Sequence, residues 1–498
     1  MKVKHLLIAY TLLGLFASSC DKDLGNYEYN DPKITLPVAV SGIKDTIEVK
    51  KGLNLVIDPI VTIAGDESNY AYSWHVTPTQ TAGALPEKTV LGDQKKLDLP
   101  VALAAGDYFL SFTVTDTTRD IYLRKQILLN VKATDVSTGW YILKDIDNET
   151  DFDYVNNEGV LYPNVLLTLA NPANSRLKGT AVKIAYQAGR YYHQIVDADG
   201  KVTTLANQTV LYVLSSEGIK VFNSKDLSLF KTDGEVFYFP KASQPQNIIA
   251  TIWNDVFFLE NNKIYSIYGM SQNIGKFGSA KQGTYTLHKD LAESSGNPVL
   301  GFDMNSHTFY LIDGAAAVLT PFQEKDDKIS TTNMNGTVLN ILNGVSGTGF
   351  AVMKHLTNEE YYLASISFDG TNAYPFTAFD DIPSGSKFPN APVKAAPYTG
   401  NFVYFAEGSK LSVYKNASEL TPAEREPLLK EFPAGETISY IAHLYRNNSY
   451  NHLVVLTNSA SGWKMYCLNV IGLGNPEIDT TPAKLFQGTG NARYVLYR

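Results

Sequence analysis

Apolar and polar residues alternate with a period of two along most of the chain, in short runs. "GDYFLSFTVTD" from Gly106, "VFFLENNKIYSIY" from Val256 and "FVYFAEGSKLSVY" from Phe402 show the pattern. Period two puts successive side chains on opposite faces of a strand. Polar turns of Gly, Asn and Asp separate the runs, so the pattern predicts an all-β protein. Helical signals are scarce. The clearest is "LTPAEREPLLKEF", with Thr421 as an N-cap before Pro422.

Two textures follow one another. From Tyr29 to Thr134 the segments "KITLPV", "DTIEVKKG", "LNLVIDPIVTI", "YAYSWHVTP", "KKLDLP", "GDYFLSFTVTD" and "RKQILLNVKA" predict one sandwich of immunoglobulin-like size. Trp74 falls mid-strand, where such a sandwich places its core tryptophan. Tyr108, after Gly106, stands where a tyrosine corner belongs. From Gly139 an apolar strand, a polar turn and an alternating strand recur. Clear copies begin at Leu211, Val256, Thr308, Phe402 and Leu453, with weaker ones at Gly139, Ala181 and Phe350. Their spacing of roughly 40 to 55 residues is the period of β-propeller blades, and the remaining length predicts about seven, with six or eight as alternatives. Two further sandwiches are the other reading. The final "ARYVLYR" is expected to pair near Trp140-Tyr141-Ile142 and close the ring, which removes exposed sheet edges.

The N-terminus reads differently. Lys2 and Lys4 precede the apolar run Leu6 to Phe16, then Ala17, Ser18, Ser19 and Cys20. The run is too short to span a bilayer, which needs about 20 residues, and has the layout of a secretory leader. The small residues before Cys20 resemble a bacterial lipobox, although Phe16 and Ala17 stand where leucine is more usual. That resemblance implies acylation of Cys20 and cleavage before it. A plain leader with an incidental cysteine is the alternative. Asp21-Lys22-Asp23 resembles the acidic export tag that sends Bacteroidota-type lipoproteins to the outer face of the outer membrane. The expected organisation is a leader over 1–19, a tether over 20–28, a sandwich over 29–136 and a propeller-like domain over 137–498.

Gly106, Tyr108, Val114 and Asp116 match the G-x-Y-x-x-x-x-x-V-x-D signature of PKD-like domains, and "YAYSWHV" resembles their tryptophan strand. The acidic Gly-Asp-Gly usual after that tryptophan is absent, since His75-Val76-Thr77 stands there. Lipobox, acidic tag, PKD-like domain and propeller together resemble the surface lipoproteins associated with starch-utilisation-type outer-membrane importers. The resemblance implies an accessory subunit beside a TonB-dependent barrel and its lid lipoprotein.

Composition and motifs narrow the chemistry. A formal net charge of −8 without Lys/Arg clusters argues against nucleic acid as a partner. Cys467, in "WKMYCLNV", is expected to be a buried, inert thiol. No metalloprotease, phosphate-loop or nucleophile-elbow motif occurs. The histidines His5, His75, His193, His288, His307, His355, His443 and His452 have no ligand spacing on one helix, and His443 and His452 flank "LYRNNSYN" without forming a zinc site. The acidic run Asp145, Asp147, Glu149, Asp151 and Asp153 is the best cation candidate. It lacks the glycine and glutamate of an EF-hand, so the choice is an irregular calcium site or a solvated acidic hairpin. The adjacent pairs Glu359-Glu360 and Asp380-Asp381 point to opposite strand faces and do not form an acid/base pair. No catalytic residue, metal or cofactor is assigned. The paired tyrosines of "YQAGRYYHQ" and "NEEYYLAS", and the amides of "YRNNSYN", are the candidate ligand contacts, with one tyrosine of each pair expected inside. The expected function is non-catalytic capture of oligopeptides or oligosaccharides at the cell surface. A glycan hydrolase with carboxylates in the propeller funnel and an architectural adhesion protein are the alternatives.

Overall fold

The computed structural model describes residues 38–498 except 64, 81–86, 173, 240–243, 273, 295, 297, 345–346, 369–373 and 448–449. The leader, Cys20, the Asp21–Asp23 tag and all of "KITLPV" but Val38 lie outside the described residues. Strands dominate, and no helix among the described residues is long and apolar enough to cross a membrane.

The first region is a sandwich. One sheet runs in the order Thr46–Lys50, Ile121–Lys132, Gly106–Asp116, Tyr70–Pro78 and Thr89–Gly92. Facing it are two short pairs, Val38–Ser41 with Ile60–Ile63 and Asn54–Ile57 with Leu97–Pro100. The predicted segment "LNLVIDPIVTI" is therefore two strands. Asp58-Pro59 breaks it, because proline has no N–H for a ladder and restricts the residue before it. Trp74 is buried against Phe112 with ring centroids 4.4 Å apart, and its Nε1 donates to the Gln94 carbonyl at 3.0 Å. Tyr108 Oη donates to the Ala104 carbonyl at 2.9 Å, the geometry of a tyrosine corner. Asp116 accepts from the Thr118 and Arg119 amides and pairs with the Arg119 guanidinium at 2.7 Å. Chiefly through the Thr118 hydroxyl, these bonds pull its carboxyl down to about 2.

The second region is a ring of seven sheets. Blade 1 comprises Asn491–Tyr497, Gly139–Ile146, Glu149–Asn156 and Leu161–Tyr162, with Leu177–Lys178 also paired to Glu149–Asn156. Blade 2 is Ala181–Val196, Val202–Ser215, Gly218–Asn223 and Leu229–Lys231. Blade 3 is Pro245–Ala250, Val256–Glu260 and Lys263–Ile267. Blade 4 is Ala292–Glu293, Val299–Asp303, Thr308–Ile312 and Thr320–Pro321. Blade 5 is Gly336–Asn343, Thr348–His355, Tyr361–Ser367 and Phe376–Ile382. Blade 6 is Val393–Ala395, Phe402–Glu407, Lys410–Lys415 and Leu428–Glu431. Blade 7 is Thr437–Asn447, Tyr450–Ser459, Gly462–Val470 and Ile478–Gly488.

The alternation explains why the sheets stack in a circle. Leu453 and Val455 point into the core shared with blade 6, whereas Val454 and Leu456 point into the core shared with blade 1. Each middle strand is apolar on both faces because each face is an interface. Every adjacent pair of blades has its own buried cluster, from blades 1 and 2 round to blades 7 and 1. The C-terminal strand pairs antiparallel with Gly139–Ile146, Trp140 opposite Tyr497 and Ile142 opposite Val495. The ring is closed as the sequence predicts.

Two readings of the repeat change. Ala181 and Leu211 belong to one blade, so eight apparent copies yield seven sheets. The Thr308 copy is the outer hairpin of blade 4; its true counterpart of the other copies begins at Val299. The helix at Pro422 is a single turn, Pro422–Arg425, capped reciprocally by Thr421 and Glu424. Pro427 stops it, and Leu428–Glu431 continues as the outer strand of blade 6.

Sandwich and ring touch at one turn. Lys51 Nζ donates to the Leu169 carbonyl at 2.9 Å, and Leu53 packs on the cluster between blades 1 and 2. Gly52 has φ +86, and a Cβ there would lie 2.6 Å from Leu169 Cδ2, so only glycine fits.

Candidate functional site

The innermost strands of the seven blades surround a central channel of about 620 Å3. Its lining comes from every blade: Lys183, Asn247, Asp290 and Glu293, Asn340 and Asn343, Lys394, Tyr440 and His443, and Tyr494. The same period of two that buries Ile184, Ile248, Ile341 and Ile441 between blades turns their neighbours to the lumen.

One wall is a hydrogen-bonded belt. Lys183 Nζ donates to Asn247 Oδ1 at 2.8 Å, and Asn247 Nδ2 donates to the Lys289 carbonyl at 2.9 Å. Lys394 Nζ donates to Asn340 Oδ1 at 2.8 Å, while Asn340 Nδ2 reaches Asp290 Oδ2 at 3.4 Å. The Ile341 amide also donates to Asp290 Oδ2, at 3.3 Å. Asn343 takes the Glu293 amide at 2.8 Å and donates to the Leu291 carbonyl at 2.9 Å. The asparagines thus fix the two lysines from blades 2 and 6 on either side of the blade 4 carboxylates.

Next to Lys183, whose Nζ lies 5.9 Å from the Tyr494 ring centroid, the wall turns aromatic. Tyr440 and Tyr494 are hydrogen-bonded through their hydroxyls, with ring centroids 5.0 Å apart. Beyond them His443 Nε2 meets Asn451 Oδ1 at 2.7 Å, and its Nδ1 accepts the Tyr398 amide at 2.9 Å. That arrangement makes Nε2 the protonated nitrogen of a neutral imidazole.

Burial sets the charges. Desolvation pushes the Lys394 ammonium down to about 8, with Asp290 partly opposing it. It lowers Lys183 too, opposed by Glu293 and Asp290. Glu293 is exposed to the lumen yet deep in the ring, and desolvation raises its carboxyl, with Lys183 opposing. Burial lowers the His443 imidazole and raises both tyrosine hydroxyls.

The sequence candidates fall elsewhere. Tyr191 and Tyr362 are buried and their partners Tyr192 and Tyr361 half-buried, as the strand pattern predicts, but none lines the channel. Of the amides in "YRNNSYN", Asn451 reaches the site only through His443. Glu359 pairs with Lys354 at 2.6 Å on the surface, and Asp380 accepts from Asn416. Cys467 is fully buried and its thiol is pushed up to about 12. Of the eight histidines, His5 lies outside the described residues and only His443 lines the channel.

The acidic run is the expected hairpin in outline, but its inner carboxylates are buried and paired rather than solvated. Asp145 accepts from the Ala181 amide and pairs with Arg493 at 2.7 Å. Arg176 meets Asp147, Glu149 and Asp151, the last at 2.7 Å. Asp153 pairs with Lys144 at 2.6 Å, both fully buried, and takes the Trp463 indole N–H of blade 7 at 2.9 Å. These carboxylates are spent on cations and N–H groups within blade 1, at the start of blade 2 and, through Arg493 and Trp463, at the ring's closing seam. The run is a hairpin with a solvated tip at Asp147 and buried carboxylates at Asp151 and Asp153, and no group of three metal-ligating side chains exists among the described residues.

Comparison with solved structures gives likenesses of shape alone. A quinonprotein alcohol dehydrogenase-like protein from Bacteroides thetaiotaomicron aligns over 91% of this chain and 97% of its own, at 12% identity and a TM-score of 0.44. Dihydro-heme d1 dehydrogenase aligns over 73% and 76%, at 8% identity and a TM-score of 0.36. The extracellular domain of a one-component system from B. thetaiotaomicron aligns over 80% and 57%, at 8% identity and a TM-score of 0.32. At these values the likenesses carry no functional weight. No curated protein matches the chain. A family model does match part of it: residues 20–182 are similar to the PKD-like family, a span that takes in the sandwich and continues through the first sheet of the ring.

Proposed function

We propose that the chain is a cell-surface lipoprotein, anchored through Cys20, that captures oligopeptides or oligosaccharides in its central channel without transforming them. It would serve as an accessory subunit to a TonB-dependent barrel and its lid lipoprotein. The observation that carries this reading is the channel itself: amides, hydroxyls and charged groups from all seven blades converge on one concave space of about 620 Å3. Support for the anchor is the leader and cysteine pattern, since several acyl chains at about 0.8 kcal/mol per buried methylene hold a soluble domain on a membrane. Affinity purification of the full lipidated chain from detergent-solubilised outer membrane tests the assignment. Co-purification of a barrel and a lid protein is the expected result; recovery of the chain alone contradicts the subunit role. Cys20→Ala is expected to abolish fatty-acid labelling, and label retained on the variant removes the anchor.

A second reading, glycan hydrolysis, draws on one observation: Asp290 and Glu293 share the lumen, and burial raises the Glu293 carboxyl. In that case Glu293→Gln abolishes release of reducing ends from a glycan panel, whereas a binding subunit releases none to begin with.

A further inference from the structure

Resting on the channel as the binding site, we propose that its ligand carries a carboxylate group, held by the lumen lysines Lys183 and Lys394. Three facts lead there. First, the lysines are held, not free: Asn247 and Asn340 each spend a carbonyl oxygen on orienting one of them. Second, Lys183 Nζ has that single hydrogen-bond acceptor for three N–H donors, beside the Tyr494 ring at 5.9 Å, Lys394 Nζ has only the Ala391 carbonyl in addition to Asn340, and neither lysine closes to an ion pair with Asp290 or Glu293 among the described residues. Third, both ammonium groups sit inside the ring, where an uncompensated charge is unfavourable. With a neutral glycan their counter-charges are Asp290 and Glu293 alone, beyond ion-pair distance; an anion in the lumen adds a direct one.

The local charge balance selects among anions. Lys183, Lys289 and Lys394 face Asp290 and Glu293, so the wall carries a small positive excess. A single carboxylate meets the lysines and leaves the rest of the ligand near Glu293 and the Tyr440–Tyr494 pair. A dianion such as phosphate would meet repulsion from both carboxylates at short range. Free peptide C-termini and uronic acids share the required chemistry.

Isothermal titration calorimetry of the full chain in detergent, with two matched pairs of probes, separates these cases. The pairs are trialanine with its C-terminal amide, and trigalacturonate with its trimethyl ester. At least one acid is expected to bind about tenfold or more tighter than its neutral partner, as a charge-assisted hydrogen bond implies. Lys183→Met and Lys394→Met should each remove most of that preference, and Lys410→Met on the exposed outer part of blade 6 none of it. Equal affinity within both pairs, or a preference that survives in the double lysine variant, overturns the proposal. Binding of a neutral probe alone, lost in Tyr440→Phe, overturns the carboxylate requirement while keeping the channel as the site. Absence of binding by all four overturns the proposal together with the reading beneath it.

Discussion

In the sandwich, Trp74, Tyr108 and Asp116 each do one local job: filling the core, pinning a corner, and tying off a turn. In the ring, no such residue can be picked from any one blade. Its site takes side chains from each of seven sheets, and its stability rests on seven similar interfaces joined by one closing seam. A region whose contacts are local announces itself by a short motif. A region whose contacts are assembled by a circle announces only the period of the circle.

The sharpest way to break this comparison is to open the circle. Deleting 491–498 removes the closing strand and its bonds to Gly139, Ser439 and Asn458. A buried Val or Leu contributes about 1.5–3 kcal/mol and each lost hydrogen bond about 0.5–1.5, against a domain total of about 5–15. The ring transition is expected to vanish in differential scanning calorimetry while that of the sandwich, which has its own core, persists. An unchanged thermogram would mean that closure contributes nothing. Next in size is Asp153→Asn, which leaves Lys144 charged and unpaired in the seam. Such a break costs about 3–5 kcal/mol, so the ring's melting temperature should fall by several degrees, and an unaltered one would make the pair dispensable.

The smaller effects belong to the sandwich. Tyr108→Phe deletes the corner hydrogen bond and should cost about 0.5–1.5 kcal/mol, read as a lower sandwich transition with the ring unmoved. Asp116 has a depressed carboxyl, from 3.8 to about 2. Its contribution is therefore present above pH 3.8 and lost as pH falls through about 2. Asp116→Asn should flatten the acid dependence of the sandwich transition across that window; an unchanged slope would assign the acid sensitivity to other groups.

These differences explain what the chain made legible. Gly106, Tyr108, Val114 and Asp116 specify a strand and its corner within eleven consecutive positions, Gly106 to Asp116. The hairpins at Val256, Phe402 and Leu453 revealed the period because both of their faces are buried. Blade 4 hid its register because its first and last strands have two residues each. The acidic run misled because Arg176 reaches it through a short strand of the same sheet, and Arg493 and Trp463 lie distant in sequence and adjacent only in the closed ring. The channel residues left no mark at all. Lys183, Lys394 and Tyr494 are ordinary polar positions of alternating strands, and only circular stacking turns them toward one axis.

The most direct test of where function lives is to fill the lumen without touching its charges. Ala442, on the inner strand of blade 7, lines the channel with a small side chain. In Ala442→Trp the channel account predicts at least a tenfold loss of affinity for whichever of the four probes binds wild type most tightly, with Tyr108→Phe binding as wild type does. Undiminished binding in Ala442→Trp, with its melting temperature unchanged, would contradict it.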